Sequence, residues 1–87
     1  MINVKSTAED TYVVTVQQGG TLSEHTVTVR KDYYRKLTGG KITPEELIRR
    51  SFEFLLEREP KESILSRFDL PVIQRYFPEY EERIRIN

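Results

Sequence analysis

The sequence predicts an α+β domain in which an antiparallel β-hairpin or three-stranded meander packs against a central helix, with short helices at the C-terminal side. Three observations carry this expectation. Apolar residues alternate with period two in separate runs within the first thirty positions, a helix-start signature at Thr43 opens a stretch of helical periodicity, and Pro60 and Pro78 divide the remainder into short pieces. At 87 residues the chain fits one domain spanning 1–87, because two would each be too short to enclose a core without disulfides or metal.

Thr11 to Gln17 is rich in β-branched and aromatic residues, with Tyr12, Val14 and Val16 in phase, as on a half-buried strand. Leu22 to Arg30 repeats the pattern with His25, Val27 and Val29. Between the two runs, Gln18-Gly19-Gly20-Thr21 supplies residues that tolerate the positive φ of a tight reversal. Ile2 and Val4 alternate with Asn3 and Lys5, which suits a third antiparallel strand returning through Ser6 to Asp10. Asp32 is placed to cap a short helix through Leu37, which Gly39-Gly40 would end.

Thr43-Pro44-Glu45-Glu46 is the clearest local signal: a capping hydroxyl, a proline at the first helical position and a glutamate three residues after the cap. Beyond it Leu47, Ile48, Ser51, Phe52, Phe54, Leu55 and Leu56 spread over about 200° of helix surface. Glu46, Arg49, Arg50, Glu53 and Glu57 take the wet side, with Glu46–Arg50 and Arg49–Glu53 spaced for ion pairs. Pro60 should end or kink this helix. Lys61 to Phe68 is then expected as a second, shorter helix and Leu70 to Phe77 as a turn or two more, with Asp69 as its cap; Glu79 to Ile86 reads equally as a last helix or an edge strand.

Composition narrows the function classes. The absence of cysteine excludes disulfides, thiol catalysis and thiolate zinc sites, and makes a cytoplasmic setting the expectation. Met1-Ile2-Asn3-Val4-Lys5 has no basic region leading into an apolar run, and no stretch reaches the length of a membrane span. His25 is the sole histidine, the G-x-S-x-G elbow is absent, and neither glycine pair has phosphate-loop spacing. A domain this small is stabilised by only about 4–13 kcal/mol, which leaves little for a deep, strained active site. The expectation is a protein that is not an enzyme and needs no cofactor or metal. Glu57, Glu59, Glu62 and Asp69 could form a carboxylate cluster, but Arg58, Lys61 and Arg67 interleave with them as on a solvated surface.

Two binding readings remain. Tyr76, Phe77 and Tyr80 flank Pro78 in an aromatic and acidic segment suited to anchoring a partner protein, so the leading expectation is a small interaction or regulatory, antitoxin-like module that binds another protein or itself. The alternative is a nucleic-acid-binding regulator. Net charge is zero, yet Arg30, Lys31, Arg35, Lys36 and Lys41 face only Asp32 between His25 and Lys41, and Tyr33 and Tyr34 beside them could stack bases. Glu62 to Phe77 also admits a helix-turn-helix reading, with Ile64, Leu65, Phe68, Leu70 and Ile73 buried and Gln74 and Arg75 on the reading helix. Exposed edge strands would allow pairing of two copies.

The run SFEFLLEREPKESILSRFDLPVIQRYFPEYEERI at 51–84, with HTVTV at 25–29, resembles a group of small bacterial proteins without an assigned activity. That resemblance implies no catalytic, metal or ligand residue.

Overall fold

A computed structural model describes residues 1–86. Strands β1 (Ile2–Ala8), β2 (Thr11–Gln18) and β3 (Thr21–Thr28) form the expected antiparallel meander. Val14 faces Val4 on one side and His25 on the other, and Val16 faces Ile2, so one sheet face collects the apolar set. The opposite face carries Thr11, Val13, Thr15, Thr26 and Thr28, all half-buried. The β2–β3 reversal places Gly19 and Gly20 at φ of 64° and 79°, the region a Cβ disfavours. β1 runs further than its alternation suggested, and the return to β2 is a tight turn through Asp10 at φ 57°.

Helix α1 (Lys31–Thr38) begins one residue before Asp32, with Arg30 at the cap position. Asp32 therefore is not the cap. Its carboxylate accepts from the Tyr33 N–H at 2.8 Å inside the first turn, where an acid still meets the positive end of the helix. The other end closes as the glycine pair requires: Gly39, at φ 61°, donates its N–H to the Arg35 carbonyl at 2.8 Å. Thr38 seals it further, donating to the Tyr34 carbonyl and accepting from the Gly40 N–H.

Helix α2 (Pro44–Leu56) starts where the signature places it, with the Thr43 hydroxyl accepting from the Glu46 N–H at 3.1 Å. Glu46 does not reach back to the cap; it clasps Arg49 at 2.6 Å and Arg50 at 2.9 Å, which hold its carboxyl below the usual range. Leu47, Ile48, Ser51, Phe52, Phe54 and Leu55 are buried against the sheet and the C-terminal segment. Phe52 lies between His25 and Phe68, with ring centroids 5.4 and 6.1 Å away.

The segment after Pro60 departs from expectation. Lys61–Ser63 makes only a single 3₁₀ turn, and Arg67–Asp69 is a strand, β4, running parallel to β3 at the sheet edge. Ile64 and Phe68 stand four apart, which suits a helix face, but Arg67, Phe68 and Asp69 also alternate out, in, out. The strand prevails because β3 offers unpaired backbone groups there: the Thr26 N–H donates to Ser66 and the Leu70 N–H to the Thr28 carbonyl. Without its first helix the helix-turn-helix reading fails, and Leu65, placed inside by that reading, is 47% exposed. Asp69 belongs to β4 and accepts from the Thr28 hydroxyl instead of capping a helix.

Helices α3 (Val72–Tyr76) and α4 (Tyr80–Ile84) are the last elements of the described residues, so Glu79 to Ile86 is helical in its centre rather than an edge strand. The result is a four-stranded mixed sheet packed by helices, an α+β fold. Among the described residues no helix is long and apolar enough to cross a membrane.

Candidate functional site

The segment joining α2 to α3 is held by its β4 pairing with β3 and by side chains on either side of it. His25, 3% exposed, points its Nδ1 at the Leu65 carbonyl at 2.8 Å. A carbonyl only accepts, so Nδ1 carries the proton, and in the neutral ring Nε2 accepts from the Ser23 hydroxyl at 2.9 Å. Lys61, also buried, anchors the turn by donating to the Thr21 hydroxyl and to Glu62 at 2.5 Å. Gln74 donates to the Pro78 carbonyl at 2.6 Å and accepts from the Glu81 N–H at 2.9 Å, tying α3 to α4.

These anchors leave an apolar groove of about 220 Å³ between the segment and α3. Leu55, Ile64, Phe68 and Ile73 form its floor, and Leu65 and Tyr76 stand on its rim at 47% and 66% exposure. Glu59 also lines it, and burial raises its carboxyl above the usual range.

Of the aromatic residues singled out in the sequence, Tyr76 and Phe77 reach this groove and Tyr80 does not. Tyr76 is exposed, and Phe77 is half-buried with its ring edge-on to Phe54 at 5.9 Å. Tyr80 is fully buried and so is removed from the interaction surface. Ser51 gives its proton to the Leu47 carbonyl at 2.8 Å, so the Tyr80 hydroxyl donates to Ser51 at 2.6 Å. Burial pushes the Tyr80 hydroxyl upward, out of reach of neutral titration. Glu59, considered in the sequence only as part of a carboxylate cluster, and Leu65, expected to be buried, both join the groove; an exposed leucine at the rim is a tertiary outcome with no period to mark it.

The basic segment is scattered over the first helix and its flanks. Lys31 pairs with Glu9 at 2.9 Å and Asp10 at 3.2 Å, and Lys36 pairs with Glu81 at 3.3 Å while lying 5.8 Å from the Tyr33 ring centre. Arg30, Arg35 and Lys41 are exposed and have no ion pair among the described residues. Tyr34 is half-buried and donates to the Ile42 carbonyl, and Tyr33 donates to Glu81 at 2.8 Å. A cleft of about 360 Å³ is lined by Arg30 together with Asp32 and Asp69, so its one cation shares the wall with two carboxylates.

The carboxylates considered for metal or acid-base work do not converge. Glu57 pairs with Arg58, Glu62 with Lys61, and Asp69 with Thr28. Among the described residues no group of three metal-ligating side chains comes together.

The geometry thus defines a two-layer α+β domain with an apolar surface groove beside its fourth strand. No protein-family model, curated protein or solved structure matches the chain.

Proposed function

We propose that this protein is a non-enzymatic interaction module of regulatory type, whose docking face for a partner protein is the groove bounded by Leu65 and Tyr76. The observation that carries the reading is the pairing of those two exposed apolar side chains with an apolar floor on a small domain. Exposed leucine and tyrosine gain from burial by a partner at roughly 25 cal/mol for each Å² removed from water, and tyrosine is a frequent anchor of protein interfaces. Tyr76 and Phe77 come from the aromatic segment that composition alone marks for this role.

Variants that change the surface and leave the core intact test it. Leu65→Ser with Tyr76→Ala should abolish retention of a stoichiometric partner from native lysate after nuclease treatment. Leu22→Ser, at an equally exposed position on the hairpin tip, should retain it. Equal retention by both proteins, each with a native circular dichroism spectrum, would remove the groove from the function.

A further inference from the structure

The groove has one charged side chain in its lining, and its own chain leaves that charge unpaired. Among the described residues no cationic nitrogen stands within ion-pair distance of Glu59. Both flanking cations are committed elsewhere. Arg58 bonds Glu57 at 3.2 Å and Glu79 at 3.0 Å and lies 3.6 Å over the Phe54 ring, while Lys61 is buried on Thr21 and Glu62. Burial acts on Glu59 without any compensating partner and raises its carboxyl.

Charge and size together select an occupant. An anion would be repelled, and a neutral apolar group would strip water from the carboxylate while giving it nothing in return. A cation satisfies it, and its attraction strengthens as the groove is closed to water. At about 220 Å³ the groove falls below the roughly 300–1,000 Å³ of ordinary small-molecule sites, a size for individual side chains rather than a cofactor. Building on the docking reading above, we infer that the groove receives a segment of another protein that inserts apolar side chains beside a lysine or arginine, whose cation pairs with Glu59.

The test uses three probes of equal length on the whole ¹⁵N-labelled protein: n-hexylammonium, n-hexanol and n-hexanoate, each titrated at neutral pH and low salt. Hexylammonium, standing for a lysine side chain, should shift the amide signals of Glu59, Ile64, Leu65 and Tyr76. It should bind about threefold or more tightly than hexanol, as expected of a partly exposed ion pair, and hexanoate should bind most weakly. Glu59→Gln should bring hexylammonium and hexanol to equal affinity. If hexanol and hexylammonium bind the wild type equally at the groove, the role of Glu59 is overturned and the docking reading stands. If none of the three moves these signals, the docking reading falls as well. Concentration-dependent shifts at the groove without any probe would identify a second copy as the occupant and overturn the inference.

Discussion

The first 56 residues and the segment from Glu57 to Phe77 are built by different means. In the meander and α2, backbone polar groups are satisfied by ladders and helix turns, and side chains are free to sort into an apolar face and a wet one. In the later segment a 3₁₀ turn, a three-residue strand and a five-residue helix satisfy few of their own groups. Side chains pin it from outside: His25 bonds the Leu65 carbonyl, Lys61 reaches across to the Thr21 hydroxyl, and Gln74 ties α3 to the Pro78 carbonyl. Regular elements close on themselves; the irregular segment is pinned at points and leaves apolar side chains between the pins on the surface. The groove lies there for that reason.

The largest effect should come from the rigid side of this contrast. Phe52 is fully buried between the two regions, so Phe52→Ala should cost about 3–5 kcal/mol, a large share of the domain's stability, as read from thermal or denaturant melts. A loss under about 1 kcal/mol would mean that the sheet and the later segment do not share one core.

The pins come next. His25→Phe keeps a ring against Phe52 but removes the donor to Leu65, and should cost about 1–3 kcal/mol. Hydrogen exchange should then accelerate at Thr26 and Leu70, whose N–H groups bridge β3 and β4, with α2 little changed. Uniform acceleration would show that the segment unfolds only with the whole domain.

How much was legible follows the same division. The meander, the Thr43 cap and the Gly39 stop were readable because each rests on residues within a few positions. β4 was not, since its pairing with β3 spans about forty residues and Ile64 and Phe68 fit a helix face equally well. In the groove, Tyr76 and Phe77 were visible as aromatics in a polar stretch. Tyr80 was misplaced because its burial depends on Ser51, 29 positions away, and the isolation of Glu59 depends on where Arg58 and Lys61 turn.

Smaller effects sharpen the comparison. Thr43→Ala removes the side-chain acceptor for the Glu46 N–H and should cost about 1 kcal/mol in denaturant melts, confined to the start of α2 by exchange. Glu59→Gln should go the other way. Because burial raises this carboxyl, the folded protein holds its proton to higher pH than the unfolded chain, so ionisation opposes folding. The opposition is absent below the ordinary carboxylate pKa and complete once pH passes the raised value. Glu59→Gln should therefore stabilise slightly near pH 7 and change nothing near pH 3, as read from denaturant midpoints. An equal gain at both would trace to something other than the charge.

The most direct measurement is site-specific photo-crosslinking in cells, with a benzophenone amino acid placed at position 76 in one protein and at position 22 in another. These positions are equally exposed, but only Tyr76 lines the groove. A discrete heteromeric adduct from position 76, absent from position 22 and lost when Leu65→Ser is added, is the expected result. Adducts of the same identity from both positions, or from position 22 alone, would contradict the assignment of the groove as the docking face.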